Sequence, residues 1–555
     1  MPVLTPSRIA IVAIALTLVS VFLTLGVPTQ LAQPARPIID HSGHAEHKNV
    51  HSGPMLPAPS VTEDGQRWED KDRPSTPSTP LPTHPSAKAS TATTAHSAPA
   101  GIPQACNDVP GAAHVMVVLR TSKAEIKEKL PPHVKTLLAC VPNFAIFSDH
   151  DGETEGIKVH NALDSIGSET KQAHNEFHEY QIMHADAEHK PDVEKTKKLD
   201  KWKFLPMAYK AYHLKSDARF FLFIEADTSL SWTNVLQWIN RLDYRIPYYS
   251  GAPALVDNIQ VAQRGSGIML SQGALRRYAK SYDELYKTKW EPELAKTCCG
   301  DVALAHALSD AHVEFYSSWP LMQSEQPSTL DYTDKHWCAP AITWHHNDAA
   351  VLDAIWKAQQ RWIQEQGWNK PFLYRDAFDS LVAPHVAAHK ANWDNLAQDT
   401  KIVAPQGRQK QLKDEEERRK QATLLAAPPL SPPLSPPPPP STADGNTTRA
   451  KEAPPPPAHK RDEQKKQIDL ATLSTSVTNA ADSAETCQRA CDQVDACLQW
   501  RYQATGDGEC HLGTVLRLGS GVDENQGWSS GWVVERVRKT IAARECKKIK
   551  WGFYQ

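Results

Sequence analysis

The chain has 555 residues, with 61 basic and 64 acidic side chains and a formal net charge of −3. This near balance of charge leaves no electrostatic footprint for nucleic acid, so nucleic-acid-binding proteins are excluded. Many of the 43 prolines are clustered outside the apolar segments, which indicates that much of the chain is not globular.

The N-terminal segment is predicted to anchor the chain in a membrane. Ile9–Val27 is an uncharged apolar run of 19 residues. As a helix rising about 1.5 Å per residue, it matches the thickness of a bilayer core. A cleaved signal peptide is the alternative, but its apolar region is usually shorter. Residues 1–8, which carry Arg8, are then a cytoplasmic tail, and the rest of the chain is lumenal or outside the cell.

The next segment, residues 28–106, is rich in Pro, Ser, Thr, Ala and His and lacks apolar periodicity. This composition predicts a disordered stem. In an exported chain, the ten cysteines are expected to form mostly disulfides rather than metal thiolates. Five lie between residues 106 and 338 and five between residues 487 and 546. Because five is odd, either each group has one free thiol or a disulfide links the two groups.

Two elements after the stem predict the opening of a nucleotide-binding α/β sheet. Val115–Leu119 and Phe144–Phe147 are apolar strand runs with a helical stretch between them. Polar residues follow both strands, among them Thr121 after the first and Asp149 after the second. Both are therefore candidates to contact a nucleotide, although ordinary turn chemistry is the alternative for Asp149.

The run Phe220–Ile224 is the element around which the sequence is organised. Five consecutive apolar residues, rich in aromatics, predict a strand that is buried on both faces. Glu225 and Asp227 follow at its carboxyl end, where open α/β sheets bind their ligands. Carboxylates with this spacing suit a hard cation such as Mg²⁺ or Mn²⁺ that holds a diphosphate. A solvated acidic turn is the alternative.

Three later features carry candidate functional residues. Gly265 and Gly267 would let a ligand approach the backbone closely, with a simple turn as the alternative. Asp301 precedes an apolar helix, where it is either a helix cap or a general base in a cleft. His345 and His346 end a predicted strand, and an imidazole beside two carboxylates would complete a ligand set for Mn²⁺. A polar strand end is the alternative for this pair.

The C-terminal part of the chain contains a linker and a small module. Residues 401–466 form a charged helical run and then a Pro-rich linker, with an N-glycosylation acceptor at Asn446. Residues 467–555 form a cysteine-rich module, whose small core needs disulfides to be stable. Its closely spaced cysteines are Cys487, Cys491, Cys497 and Cys510. We interpret it as a binding module without a catalytic constellation.

Taken in order, the motifs resemble the fringe-like branch of the family 31 glycosyltransferases, especially its fungal type II membrane members. The matching stretches are VMVVLRTS, FAIFSDHDGE, LDKWKFLPM, FFLFIEADTSLSW, RGSGIMLS, CCGDVALAHAL and WCAPAITWHH. The resemblance implies an α/β fold with a GT-A-like mixed sheet and flanking helices over residues 107–400. It also implies a Golgi membrane protein with a lumenal catalytic domain, or a secreted form after cleavage.

The resemblance further implies an inverting transfer of galactose or N-acetylglucosamine from a UDP-sugar to a glycan or glycoprotein hydroxyl, forming a β-1,3 linkage. Glu225 and Asp227 would hold Mn²⁺, with His345 or His346 as the third ligand. Asp301 would be the base. Two departures stand out. The metal motif is Glu-Ala-Asp where the family often has three aspartates, and the base motif lacks the Pro-Asp-Asp form of the animal enzymes.

The C-terminal module resembles a PAN/apple domain, a small α+β fold. The resemblance implies the disulfides Cys487–Cys510 and Cys491–Cys497, and the binding of protein or carbohydrate. Two other functions remain open. One is a catalytically inactive membrane protein that binds carbohydrate or protein through this module. The other is a metal-dependent hydrolase of glycan or phosphate esters.

Overall fold

The computed structural model describes residue 106 and residues 109–256, 258–425 and 479–552. The predicted cytoplasmic tail, the membrane anchor, nearly all of the stem, the Pro-rich linker and Asn446 lie outside these residues. Within the described ranges, no helix is both long enough and apolar enough to cross a membrane.

The larger folded region alternates strands and helices along the chain. Its strands are β1 (Val115–Arg120), β2 (Phe144–Ser148), β3 (Gly152–Thr154), β4 (Ile157–Asn161), β5 (Phe220–Glu225), β6 (Ser229–Leu230), β7 (Tyr249–Gly251), β8 (Pro253–Val256), β9 (Ile259–Ala262), β10 (Ile268–Ser271), β11 (Phe315–Ser317) and β12 (Thr343–Trp344). Its helices are α1 (Ile126–Lys135), α2 (Leu137–Cys140), α3 (Ser168–Ala173), α4 (Phe177–Ala185), α5 (Val193–Lys198), α6 (Asp200–Leu214), α7 (Trp232–Ile239), α8 (Gln272–Leu285), α9 (Glu291–Leu294), α10 (Gly300–Asp310), α11 (Asp334–Trp337), α12 (Ala349–Gln366) and α13 (Tyr374–Leu381).

Eight of these strands form one mixed sheet in the order β11–β7–β10–β5–β1–β2–β4–β3. The strand β5 lies near its middle, parallel to β1 and antiparallel to β10. This confirms the α/β class, the mixed sheet with flanking helices and the buried central strand. The polar segment between β2 and α6 adds β3 and β4 to one edge of the sheet.

Each face of the central strand packs into its own hydrophobic core. Leu222 and Ile224 lie in a core that includes Trp232 of α7. Phe221 and Phe223 lie in the opposite core, which includes Trp202 of α6. Alternate residues of a strand point to opposite faces, so an uninterrupted apolar run is what a two-sided core requires.

The C-terminal module is built from both sides of the linker. Its strands are β13 (Lys390–Ala391), β14 (Trp393–Asp394), β15 (Thr400–Val403), β16 (Gln499–Gln503), β17 (Glu509–Gly513), β18 (Ser520–Gly521) and β19 (Trp528–Trp532). Its helices are α14 (Arg408–Leu425), α15 (Ala484–Asp492) and α16 (Val534–Ala542). The main antiparallel sheet has the order β13–β19–β16–β17–β15.

This sheet corrects one predicted domain boundary. The glycosyltransferase domain was predicted to end at residue 400, yet β15 begins at Thr400 and pairs with β17, where Ile402 lies opposite Cys510. The pairing joins segments about a hundred residues apart, and nothing in the local composition of residues 390–403 signals it. The module therefore includes chain from before the linker.

The disulfides resolve the odd cysteine count. Within the described residues they are Cys106–Cys140, Cys338–Cys546, Cys487–Cys510 and Cys491–Cys497. The last two confirm the pairing that the PAN/apple resemblance implies. Cys338–Cys546 links the two groups of cysteines, and Cys298 and Cys299 remain as thiols. Cys106, assigned to the end of the stem, is tied to the larger region at the end of α2.

The module also packs directly against the larger region. Leu516 and Trp532 of the module share a hydrophobic core with Trp337 of α11. The buried Arg517 side chain forms an ion pair with Asp331, and the amide of Tyr332 donates to the carbonyl of Leu516 at 3.1 Å. The module thus contacts the chain segment that leads into β12.

Candidate metal centre

The candidate site lies where β1 and β5 end side by side. These strands are parallel, and Arg120 at the end of β1 lies opposite Glu225 at the end of β5. Their carboxyl ends therefore meet at one edge of the sheet, which is where α/β folds place ligands. The turn after β5 carries Asp227, and β6 then pairs antiparallel with β12, placing Ser229 opposite Trp344. This pairing brings the two histidines that follow β12 next to Asp227.

Asp227, His345 and His346 form a cluster that could hold a metal ion. One ligand atom from each lies within 4.8 Å of the others. His345 Nε2 is 3.1 Å from Asp227 Oδ1, and the two imidazole rings are 3.9 Å apart between centroids. His346 has a left-handed backbone with φ of 62°. The structure thus brings together three of the four residues that the sequence analysis assigned to the metal.

The backbone on both sides of this cluster is fixed by hydrogen bonds. The amide of Asn347 and its side-chain Nδ2 both donate to the carbonyl of Asp227, each at 3.0 Å. On the other side of the turn, Nε2 of the buried His133 lies 2.9 Å from the carbonyl of Ala226. These contacts hold Ala226 and Asp227 between two separate chain segments, so the position of the carboxylate does not depend on the turn alone.

The donor set fits a divalent first-row transition metal, Mn²⁺ among them. It offers one carboxylate and two imidazoles, both of which such ions accept. Nε2 of the buried His345 faces Asp227 Oδ1 at 3.1 Å and Glu225 Oε2 at 3.4 Å, whereas its Nδ1 has no hydrogen-bond partner among the described residues. Buried polar atoms are normally satisfied, so the unpartnered Nδ1 favours a ligand at the site.

The ionisable groups of the cluster shift one another's pKa values. Burial would lower the pKa of His345, but hydrogen bonds and charge from Asp227 and Glu225 outweigh it and raise that pKa to about 9. For Asp227, burial would raise the pKa, but the hydrogen bond and charge of His345 lower it below its usual range. Burial and the charge of His345 lower the pKa of His346. A cation would take the place of the proton on His345.

Glu225, the fourth predicted metal ligand, lies beside the cluster in a different role. Its Oε1 forms an ion pair with Arg120, and its Oε2 is 3.4 Å from His345 Nε2. Burial would raise the pKa of Glu225, but the charge of Arg120 and the hydrogen bond of His345 hold it well below the usual range. Glu225 therefore remains ionised. Its Oε1 is paired with Arg120, and its Oε2 contacts His345.

Arg120 continues this ion pairing into the protein interior. Its guanidinium also binds Asp200 at 2.7 Å, and Lys203 binds both Asp200 at 2.9 Å and Asp149 at 3.0 Å. Negative and positive side chains therefore alternate from Asp149, which follows β2, through Lys203 and Asp200 of α6 and Arg120 of β1, to Glu225. Each buried charge has partners of opposite sign, which is the condition under which buried ions are tolerated.

Asp149, a predicted nucleotide contact, belongs to this buried chain. Its side chain is fully buried and accepts hydrogen bonds from Lys203, from the amide of Lys123 at 2.8 Å and from Ser148 at 3.2 Å. The carboxylate is not open to a ligand, because Lys203 reaches it from α6, 54 residues away in sequence. By contrast, the other predicted contact, Thr121, has a buried hydroxyl with no hydrogen-bond partner in the described part of the chain.

The two predicted ligand-binding glycines lie in the turn between β9 and β10. A β-carbon on Gly265 would lie 2.6 Å from His345 Nε2 and closer still to two other ring atoms. The group that lies close to the backbone at Gly265 is therefore the imidazole of His345, where a ligand was predicted. Gly267 has φ of 83°, a conformation that glycine adopts without strain. Thr228 Oγ1 donates to the carbonyl of Gly265 at 3.0 Å and ties this turn to the metal cluster.

Asp301, the predicted base, is connected to the cluster through Arg264. It lies in the first turn of α10, whose N-cap is Cys299. The amide of Arg264 donates to Asp301 Oδ2 at 3.2 Å, and the side-chain Nε of Arg264 is 3.5 Å from Glu225 Oε1. Arg264 therefore links Asp301 to Glu225, the residue beside the metal cluster.

Sequence reasoning missed Arg120, Arg264, Asn347 and His133 as members of this site. The signal for Arg120 was present, since a charged residue directly after an apolar strand lies at the ligand-binding edge. The other three offered no local signal, because their partners are distant in sequence. Neither protein-family models nor curated proteins give a significant match to the chain. The residues of the site are therefore the basis for proposing a function.

Proposed function

We propose that the chain is a metal-dependent inverting glycosyltransferase. The proposed reaction moves galactose or N-acetylglucosamine from a UDP-sugar to a hydroxyl of a glycan or glycoprotein, forming a β-1,3 linkage. One observation carries the proposal. The cluster of Asp227, His345 and His346 lies at the carboxyl end of the central strand, with a second carboxylate, Asp301, connected to it through Arg264.

The fold and its disulfides are compatible with this assignment. We propose that the eight-stranded mixed sheet is a GT-A-like sheet and that the C-terminal module is a PAN/apple-like domain. Disulfides form and persist in oxidising compartments, so the four disulfides support an exported protein. A Golgi location with the catalytic domain in the lumen is consistent with this.

On the donor side, Asp227, His345 and His346 are proposed to hold Mn²⁺. When bound, the metal neutralises the negative charge that develops on the UDP diphosphate. Glu225 keeps His345 in place, because its Oε2 faces the imidazole. The Arg264 side chain is 42 % exposed, and its Nε is 3.5 Å from Glu225 Oε1. Its terminal N–H groups have no hydrogen bond to the described residues and are proposed to donate to diphosphate oxygens. The Thr121 hydroxyl is a further donor at the same edge.

On the acceptor side, Asp301 is proposed as the general base. It would take the proton of the acceptor hydroxyl at Oδ2, the oxygen that accepts a hydrogen bond from the Arg264 amide. The hydroxyl oxygen then attacks the anomeric carbon from the face opposite UDP. The bond between that carbon and the UDP oxygen breaks, UDP leaves with the bonding electrons, and the configuration is inverted. A proton transfer of this kind contributes about 10²–10⁴-fold to a rate.

The direct test is UDP release from a panel of UDP-sugars, with and without Mn²⁺ and with glycan acceptors. The full chain should release UDP from one sugar only when Mn²⁺ is present. Asp227→Ala should abolish this release, whereas the matched control Asp353→Ala should retain it, because Asp353 is half-exposed on α12 and pairs only with Lys357 there. Near-normal Mn²⁺-dependent release by Asp227→Ala would contradict the proposal.

A binding function without turnover is the second candidate. The observations that favour it are that Arg120 occupies one oxygen of Glu225 and that Lys203 occupies Asp149. Asp149 is thereby withdrawn from ligands, and Glu225 keeps only its Oε2, which faces His345. Binding of UDP and glycan to the full chain, with no UDP release across the donor and acceptor panels, would establish this function instead.

A further inference from the structure

Two adjacent thiols, Cys298 and Cys299, lie just before Asp301. The other eight cysteines of the chain form four disulfides. Cys298 is exposed and Cys299 is half-buried. An accessible dithiol is unexpected in a protein whose other cysteines are all oxidised, and its position suggests a chemical role.

We propose that Cys298 and Cys299 form a thiol–disulfide exchange site whose ligand is a small disulfide such as glutathione disulfide. Reaction at this site closes the pair into a vicinal disulfide. Closure displaces Asp301 and thereby lowers transferase activity. The consequence for activity rests on the proposed function, whereas the exchange chemistry does not.

The position of the pair in the fold couples it to Asp301. Cys299 is the N-cap of α10, and its carbonyl accepts from the amide of Ala303 at 3.1 Å in the first turn. A vicinal disulfide closes a small ring that contains the peptide bond between the two cysteines. Because Cys299 has an extended backbone, with φ of −146° and ψ of 148°, ring closure constrains the residue that sets the start of the helix. Asp301 is two residues further on.

Two separate contacts connect the start of α10 to the metal cluster. A β-carbon on Gly300 would overlap the ring of Phe204, so the helix lies directly on that side chain. The guanidinium of Arg120 lies 5.0 Å above the same ring. Asp301 accepts from the amide of Arg264. Since both arginines pair with Glu225, a shift at the start of α10 acts on Asp301 and on both cations beside the cluster.

The exchange proceeds in two balanced steps. In the first, Cys298 loses its proton and its sulfur attacks one sulfur of glutathione disulfide. The S–S bond of the oxidant breaks, and its second sulfur leaves as glutathione after taking up a proton. In the second, the Cys299 sulfur loses its proton and attacks Cys298 Sγ, which releases the second glutathione. Two cysteine thiols are oxidised, and one disulfide is reduced to two thiols.

The difference in exposure indicates the order in which the two thiols react. Cys298 meets the oxidant first because it is exposed, while Cys299 is partly covered. Burial, together with the hydrogen bond and charge of Cys298, raises the pKa of Cys299 to about 12, so Cys299 stays protonated in the reduced pair. Once Cys298 carries glutathione, its thiol no longer raises the pKa of Cys299. Cys299 then ionises more readily and acts as the resolving thiol.

Mass spectrometry of the full chain tests the exchange directly. The protein is equilibrated in glutathione buffers from reducing to oxidising, then acid-quenched, alkylated and digested with trypsin. One tryptic peptide, residues 297–335, contains both thiols and no other cysteine. In reducing buffer it should carry two alkyl groups. In oxidising buffer it should carry none and weigh two hydrogens less. Two alkylated thiols, or glutathione retained on Cys298, in the most oxidising buffer would overturn the exchange site.

Activity of the same samples tests the coupling to Asp301. Oxidation should lower UDP release roughly tenfold to a hundredfold, the scale expected when a catalytic group is displaced by about 1 Å. Cys298→Ser should be insensitive to the oxidant. If the vicinal disulfide forms and UDP release is unchanged, the coupling is wrong. If the reduced protein releases no UDP from any donor, the proposed function fails, and the mass measurement alone decides the exchange site.

Discussion

Gly265 lies directly against the imidazole ring of His345, with no room between them for a side chain. A β-carbon at this glycine would be 2.6 Å from His345 Nε2, and real β-carbons do not approach other atoms that closely. The glycine turn therefore sets the position of the buried histidine that is proposed to bind the metal. This relationship gives the turn a function that does not depend on contact with a substrate.

Gly265→Ala is expected to weaken metal binding. The added methyl group displaces the His345 ring, and changes in groups that orient a metal ligand typically cost about 10–100-fold in metal affinity. Mn²⁺ titration of the two proteins, followed by electron paramagnetic resonance, measures this loss. Gly521→Ala is the matched control, because a β-carbon there meets no atom closer than 3.9 Å. Equal Mn²⁺ affinities for Gly265→Ala and the control would contradict the packing argument.

Glu225→Gln and Asp227→Asn should separate a supporting residue from a ligand. Asp227 belongs to the proposed metal cluster, whereas Glu225 contacts that cluster through His345. We expect Asp227→Asn to abolish Mn²⁺ binding and Glu225→Gln to weaken it by about 10–100-fold, the range for a residue that orients a ligand. Isothermal titration with Mn²⁺ gives both values. If Glu225→Gln also abolished binding in a folded protein, Glu225 would be a direct ligand.

Asp301→Asn should reduce turnover without affecting the metal. The amide keeps the shape of the carboxylate but cannot take a proton, so the rate of sugar transfer should fall by about 10²–10⁴-fold. Mn²⁺ affinity should stay unchanged, because Asp301 contacts the backbone amide of Arg264, and the side-chain oxygen of Asn can accept the same hydrogen bond. Steady-state UDP release with acceptor measures the rate. A parallel loss of Mn²⁺ affinity would show that Asp301 acts by holding the site together.

Metal affinity should rise with pH. The pKa of His345 in the metal-free protein is raised to about 9, so its imidazole carries a proton at neutral pH. Mn²⁺ must displace that proton, and the apparent affinity should therefore increase by up to about tenfold per pH unit until roughly pH 9. Mn²⁺ titrations at several pH values test this dependence. Glu225→Gln removes one of the charges that raise this pKa and should flatten the slope, whereas an affinity independent of pH in the native protein would contradict the assignment.

The sequence predicted the parts of the site that depend on local pattern. The apolar run of β5 predicted a central strand, and its position predicted that Asp227 lies at the ligand-binding edge. The two histidines after β12 were predicted for the same cluster, and the structure places them there. The position of Asp227 could be predicted because strand periodicity and strand ends are encoded within a few residues. The approach of the two histidines to Asp227 depends on the pairing of β6 with β12, which local pattern does not encode.

The rest of the site depends on pairings between distant residues. Nothing near Asp149 reveals that Lys203 neutralises it, and nothing near Gly265 reveals the ring of His345. The same limit applies to β15, whose partner strand β17 follows the linker. Such contacts arise only when tertiary packing brings separate elements together, and a single sequence carries no periodic signal for them.

A metal ion bound by Asp227, His345 and His346 is the central element of the proposed mechanism. Crystals of the full chain grown with Mn²⁺ and UDP, measured on both sides of the manganese absorption edge, would locate that ion. We predict one anomalous peak within coordination distance of Asp227 and His345, with the UDP diphosphate on its open side. An ordered Asp227 and His345 with no manganese peak between them would contradict the metal centre and the transferase proposal built on it.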